Sequence, residues 1–79
     1  MHLEQIREIR QLDKTMRDLR KELSEHAVRL NVVDEIQEEF YRMDGIFSKL
    51  YWNENFELLK ETYQKETITL VFAIAMIER

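Results

Sequence analysis

Apolar residues in the first part of the chain recur at alternating steps of three and four. The resulting seam is Ile9, Leu12, Met16, Leu19, Leu23, His26 and Leu30. This spacing puts every member on one face of an α-helix and is typical of a coiled-coil seam. The intervening residues are mostly charged helix formers. We therefore predict a first helix over about residues 3–29.

A second three-four alternation follows after a short break. Its members are Val33, Ile36, Phe40, Met43, Phe47 and Leu50. It predicts a helix over about residues 32–51, with Asn31 as N-cap and Asp34 reaching back in the manner of a capping box. Gly45 falls off this seam, where glycine costs about 1 kcal/mol relative to alanine without breaking the helix.

The last part of the chain repeats apolar residues at helical spacing and predicts a third helix over about residues 55–78. These residues are Phe56, Leu59, Tyr63, Leu70, Ile74 and Ile77, and either Asn53 or Asn55 is the expected N-cap. Residues 67–77 are rich in β-branched and aromatic side chains, so a strand is the alternative there. No second strand candidate exists to pair with it, and an isolated strand leaves its backbone groups unpaired. Helix is therefore favoured.

The three predicted helices form one all-α domain over residues 1–79, a helical hairpin with a third helix packed along it. The chain has no proline and one glycine, which fits long helices with short connections. At 79 residues its core is small, and proteins of this size often add a disulfide, a metal or a second copy. Cysteine is absent and there are only two histidines, so we expect no zinc cluster and predict a homodimer. The self-association candidates are Leu70, Phe72, Ile74 and Ile77.

Charge is distributed unevenly along the chain. The net charge is −4, with seven basic and six acidic residues in positions 1–30 but five basic and ten acidic residues afterwards. A basic stripe runs along the first helix, opposite the apolar seam, and consists of Arg7, Arg10, Lys14, Arg17 and Lys21. Arg20 lies at one edge of this stripe. The stripe could follow a phosphate backbone. Acidic neighbours flank it, and Asp13 is spaced to pair with Arg17 on the same helix face. A solvated face with local ion pairs is therefore the favoured interpretation.

Two other polar features are weak candidates for a site. Asp34, Glu35, Glu38 and Glu39 cluster early in the second helix, but the chain has no Glu-x-x-His pattern and no EF-hand loop. We interpret this cluster as solvated charge and predict no metal and no cofactor. His26 lies in the first seam, where a packed histidine is favoured over a pH-sensitive switch.

Aromatic residues concentrate at the predicted second turn. Six of the eight lie between positions 40 and 56. Tryptophan and tyrosine are frequent in interface hot spots, and a bundle corner closed by aromatics is the alternative. The partner-binding candidates are Tyr41, Tyr51, Trp52, Asn53 and Phe56.

These features favour a small non-enzymatic regulator or adaptor of the inhibitor, anti-factor or co-chaperone type, which binds another protein through a helical surface. The sequence has no evident nucleophile–base pair and no glycine-rich phosphate loop. The alternatives are a nucleic-acid-binding protein that uses the basic stripe, and a purely structural oligomer. No signal-peptide pattern and no apolar run of bilayer length are present, so we expect a cytoplasmic protein without membrane partners.

Overall fold

The computed structural model describes residues 2–78 and contains three α-helices within that range. They are α1 (Leu3–Leu30), α2 (Val33–Trp52) and α3 (Phe56–Ile77). Each bound lies within one residue of the value predicted from the spacing. The predicted three-helix bundle is confirmed, and residues 67–77 are helical. In residues 2–78 no helix is long and apolar enough to cross a membrane.

Helices α1 and α3 run side by side in the same direction, and α2 returns antiparallel to both. Lys60 Nζ lies 3.0 Å from Glu8 Oε2 near the start of both helices, and Glu78 Oε1 lies 3.3 Å from His26 Nε2 at their far end. The bundle is elongated and measures 44 × 20 × 14 Å. Residues 2 and 78 therefore lie at opposite ends of the bundle.

The turn between α1 and α2 corrects the predicted role of Asn31. Asn31 has φ 59° and ψ 41°, the left-handed conformation, and it ends α1 instead of capping α2. The Val32 N–H donates to the Ala27 carbonyl at 3.0 Å, the six-to-one bond of a Schellman motif. The N-cap of α2 is Val32, and no side chain caps that end, so the predicted capping box is not formed.

The turn between α2 and α3 is built in the same way. Glu54 has a positive φ of 54°, and the Asn55 N–H donates to the Leu50 carbonyl at 3.0 Å. Asn55 does occupy the N-cap position of α3, but its side chain makes no capping hydrogen bond there. Both turns are therefore held by backbone bonds that satisfy the carbonyls at a helix end.

The core joins the facing seams of the three helices. It consists of Ile9, Met16 and Leu23 from α1, Met43 and Phe47 from α2, and Phe56, Leu59, Tyr63, Leu70 and Ile74 from α3. Met16 and Leu59 are the most completely buried large side chains. The rings of Phe47 and Tyr63 stack with centroids 4.0 Å apart. Burying one such side chain stabilises a fold by roughly 1.5–3 kcal/mol.

The α1 seam drifts toward its C-terminal end. Ala27 is buried, whereas His26 is half-buried and Leu30 is exposed. A straight helix has 3.6 residues per turn, so a seam with a mean step of 3.5 moves slowly around its surface. The inward position near this end therefore passes from His26 to Ala27.

Candidate interaction surfaces

The structure separates the aromatic partner-binding candidates into surface and core. Trp52 is 78% exposed and Tyr41 is 73% exposed. Tyr51 and Asn53 are also exposed. Phe56 is buried in the core, which removes it from the accessible surface. Of the predicted partner-binding residues, Phe56 therefore belongs to the core, and those around Trp52 lie on the surface.

A groove of about 310 Å³ lies beside Trp52, where the three helices meet. Its lining residues are Asp13, Arg17, Asp44, Phe47, Ser48, Tyr51, Trp52, Leu59 and Tyr63. Tyr51 and Trp52 meet edge to face, with ring centroids 5.5 Å apart. The groove thus combines aromatic and aliphatic side chains with charged groups from α1 and α2, as in an interface with an apolar centre and a polar rim.

The charged groups of this groove already hold one another. Asp13 accepts a hydrogen bond from Arg17 Nε at 2.7 Å and another from the Tyr63 hydroxyl at 3.0 Å. Burial, reinforced by the bond to Asp13, raises the pKa of the Tyr63 hydroxyl far above its usual value. The same carboxylate raises the pKa of Arg17. Tyr63 therefore remains a neutral donor, and these groups fix α1 to α3.

The basic stripe of α1 lies on the surface as predicted, but few of its charges are paired. All five members are exposed. The expected pair of Asp13 with Arg17 is present. Within residues 2–78, the other four members, Arg7, Arg10, Lys14 and Lys21, make no ion pair. Four positively charged side chains on one side of α1 are therefore free to contact an external anion.

The C-terminal half of α3 carries a second apolar side that faces away from the core. Phe72 is 65% exposed and Met76 is 70% exposed. We define the outer face of α3 as the exposed residues Ile68, Val71, Phe72, Ala75 and Met76, spaced at steps of three, one, three and one. Such spacing places them together on one helix face.

The predicted self-association set is divided by this arrangement. Phe72 belongs to the outer face. Leu70 is 3% exposed and Ile74 is 6% exposed, and both pack in the core of their own chain. Ile77 is partly buried against that core. A second copy of the folded chain would therefore meet Phe72 and its neighbours on the outer face.

Two charged residues are buried in the middle of the bundle, Arg20 and Glu66. Arg20 Nη1 donates to Asp44 Oδ1 at 2.8 Å, and its guanidinium carbon lies 4.6 Å from the centre of the Phe40 ring. Its Nε and Nη2 make no hydrogen bond within the described residues. Burial raises the pKa of Glu66, an effect that the positive charge of Arg20 partly offsets.

Sequence reasoning placed Arg20 at an edge of the basic stripe and did not single out Glu66, although the spacing contains a signal for both. The sequence of positions 16, 20, 23 and 27 advances by four, three and four, so Arg20 falls on the inward side of α1. The α3 seam jumps seven residues from Tyr63 to Leu70, and position 66 fills the missing turn. Helical periodicity requires an inward residue at each turn whatever its charge.

The remaining polar candidates lie at the surface. Asp34, Glu35, Glu38 and Glu39 are all exposed. Glu39 pairs with Arg42, and a hydrogen bond from that guanidinium lowers the pKa of the Glu39 carboxyl.

Within residues 2–78, one set of three side chains is close enough together to hold a metal ion: Glu22, His26 and Glu78.

No protein-family model, curated protein or solved structure matches this chain.

Proposed function

We propose that this chain is a non-enzymatic protein-binding module of the regulator or adaptor type, and that it self-associates through the outer face of α3. The observation that carries this proposal is the exposed apolar surface of the outer face, which consists of Ile68, Val71, Phe72, Ala75 and Met76. No charged residue lies between Glu66 and Glu78, in a chain that is 35% charged overall. A contiguous exposed apolar surface of this kind is typical of a protein contact.

The exposed apolar area of the outer face is large enough for an interface with a second copy of the chain. Taking roughly 150 Å² for one large apolar side chain, the exposed parts of Ile68, Val71, Phe72 and Met76 amount to roughly 350–400 Å². Homodimer interfaces are about 65% apolar, so this area corresponds to roughly 600 Å² per copy. The pair would bury about 1,200 Å², the lower end of the range for stable interfaces.

The chemistry of the outer face also favours a second copy. A charge placed opposite this surface would lose its water without gaining a counter-charge, which is unfavourable. The facing surface must therefore be uncharged over about three helical turns. The same segment of a second chain meets this requirement, and a two-fold pairing uses one patch on both copies.

Sedimentation of the pure protein tests the self-association. Phe72→Glu puts a charge in the centre of the outer face, and Gln37→Glu makes the same charge change at an exposed polar position of α2. We expect a concentration-dependent dimer for the wild type and for Gln37→Glu, and a monomer with unchanged helicity for Phe72→Glu. A wild-type chain that stays monomeric at the highest concentration, or a Phe72→Glu variant that still dimerises, rejects this use of α3.

The groove beside Trp52 is the proposed contact for a different protein. Its Asp13, Arg17 and Tyr63 are already paired with one another, which supports a binding surface over acid–base chemistry. An exposed tryptophan at the rim of an apolar groove is the kind of residue that anchors an interface.

Affinity capture from the native host tests this second contact with Trp52→Ala, and Val28→Ala serves as an exposed apolar control far from the groove. We expect a captured protein that Trp52→Ala loses and Val28→Ala retains. Equal recovery by both variants rejects the groove as the contact.

Nucleic-acid binding is the second candidate function, and the four unpaired cations of the basic stripe favour it. Contact of all four with phosphates predicts that log K falls with log salt concentration with a slope of about −3 to −4. The double variant Arg10→Glu/Lys14→Glu should abolish binding, whereas Lys49→Glu/Lys65→Glu, at exposed positions of α2 and α3, should weaken it less. Absence of binding at low ionic strength removes this candidate.

A further inference from the structure

Three metal-ligating side chains meet at the end of the bundle opposite Trp52. Glu22 and His26 are four residues apart on α1, so they project from the same helix face one turn apart. Glu78 follows directly after α3 and reaches the same place from the other helix. One ligand atom from each residue lies within 4.8 Å of the ligand atoms of the other two. The set joins positions that are far apart in the chain but adjacent in the fold.

We propose that Glu22, His26 and Glu78 form a binding site for one Zn²⁺ ion. Zinc binds imidazole nitrogen and carboxylate oxygen at about 2.0–2.2 Å in a tetrahedral arrangement, which puts neighbouring ligand atoms about 3.3–3.5 Å apart. His26 Nε2 and Glu78 Oε1 are 3.3 Å apart, so one tetrahedral edge is already formed. Glu22 supplies the third ligand and water the fourth.

The ligand set favours zinc over the common alkaline-earth ions. Calcium takes six to eight oxygen ligands and magnesium about six, mostly with bound water. The cluster offers one nitrogen and two carboxylates. Nitrogen ligation by imidazole is favourable for zinc and other late transition metals and contributes little for calcium or magnesium.

Arg29 opposes metal binding and must move for it to occur. Its guanidinium contacts His26 Nδ1 and donates a hydrogen bond to it. When Nε2 gives its lone pair to the metal, neutral imidazole carries its proton on Nδ1, and that nitrogen can then no longer accept. Arg29 is exposed in the last turn of α1, so its side chain can swing into solvent. Removing it should strengthen metal binding.

Bound zinc would tie the end of α3 to α1. The chain has no cysteine, so no disulfide can stabilise a fold with so small a core. A metal held by both helices stabilises the folded form, because the unfolded chain does not present a preformed site. This inference does not depend on the proposed function. It departs from two expectations of the sequence analysis, that the few histidines form no zinc cluster and that the chain binds no metal.

Isothermal titration of the untagged full chain with ZnCl₂ tests the site. We expect saturation at one ion per chain and a higher thermal unfolding midpoint in its presence. Glu22→Gln, His26→Gln and Glu78→Gln should each weaken binding at least roughly tenfold, since loss of an outer-sphere partner alone costs 10–100-fold. His2→Gln, which alters the other histidine, should leave binding unchanged, and Arg29→Ala should tighten it.

Calcium provides the comparison that separates this site from general attraction of cations to surface carboxylates. CaCl₂ should give no saturable heat under the same conditions. Several weak zinc ions per chain, equal binding of calcium, or zinc binding that His26→Gln leaves unchanged would each overturn the proposal. If His26→Gln is misfolded by circular dichroism, Glu78→Gln decides the question, because its side chain lies beyond the end of α3 and outside the core.

Discussion

Helix α1 and the C-terminal half of α3 differ in what they place on the side away from the core. The far side of α1 carries the basic stripe and its acidic neighbours, whereas the far side of α3 carries Phe72, Met76 and other apolar residues. Both helices bury a similar inner seam. The difference shows that folding of one chain leaves large apolar residues of α1 exposed only near its ends, at Leu3, Val28 and Leu30, but leaves a whole second apolar side of α3 uncovered.

The largest expected contrast is between neighbouring positions on the two sides of α3. Leu70→Ala creates a cavity in the core and should lower the free energy of unfolding by about 2–5 kcal/mol. Phe72→Ala should change it by less than about 0.5 kcal/mol when measured at a concentration where the chain is monomeric, because the ring has few neighbours to lose. Urea denaturation measures both. Equal destabilisation by the two variants would mean that the outer face already supports the monomer.

A polar contact on the inner side of α3 should have a smaller effect. Tyr63→Phe removes the hydrogen bond to Asp13, which should lower the free energy of unfolding by about 1–2 kcal/mol because the acceptor is charged. Asp13 keeps its bond from Arg17, which limits the loss. Tyr41→Phe, at an exposed position, is the matched control and should have no measurable effect. If Tyr63→Phe left the free energy of unfolding unchanged, the stacking of Phe47 on the ring at position 63 would be sufficient without the hydrogen bond.

Glu66 is a charged group on the inner side of α3, and its replacement should act in the opposite direction. Its pKa in the folded chain is raised above the ordinary 4.5 by burial, reinforced by Glu39 and Asp44 and opposed by Arg20 and Arg42. Between pH 4.5 and the raised pKa, Glu66 therefore holds a proton more often in the folded chain than in the unfolded chain. The free energy of unfolding falls as pH rises through the raised pKa.

Glu66→Gln removes the part of this fall in stability that comes from ionisation of the Glu66 carboxyl. The variant should match the wild type below about pH 4.5 and become more stable than the wild type as pH rises toward neutrality. Urea denaturation across a pH series measures the difference. A variant that is less stable at neutral pH would show that attraction between Glu66 and Arg20 outweighs the loss of hydration.

The smallest expected effect lies on the outer side of α2. Gly45 is a helical residue, and a Cβ added there would meet nothing within 4 Å. Gly45→Ala should therefore raise the free energy of unfolding by about 0.5–1 kcal/mol through reduced backbone freedom in the unfolded chain. Gln37→Ala, at another exposed position of α2, should change it much less. A destabilised Gly45→Ala would indicate that this side of α2 is covered by a partner.

The helices were predictable because their signal is local, whereas the caps were not. Seams at steps of three and four indicate a helix, and the bounds of all three helices followed from them to within one residue. Asparagine favours both an N-cap and the left-handed position after a helix, so Asn31 alone could not indicate which helix it terminates. The geometry of the chain on both sides decides this.

The surfaces depended on tertiary packing that the sequence does not contain. Residues 67–77 are apolar on nearly every side, and only the placement of α1 and α2 determines that Leu70 is buried and Phe72 exposed. The proximity of His26 and Glu78 likewise follows from the parallel course of α1 and α3. Sequence reasoning identified the apolar segment and the aromatic turn, but it could not sort core from contact residues within either.

The parallel course of α1 and α3 also determines how the bundle resists force. Residue 2 lies beside Phe56 at one end of the 44 Å long axis, and Glu78 lies beside His26 at the other. A pull applied through these two ends slides α1 and α3 past each other along their length, so their shared contacts are loaded together and not opened one turn at a time. A chain tethered in this way should resist force better than one pulled through two points at the same end of the bundle.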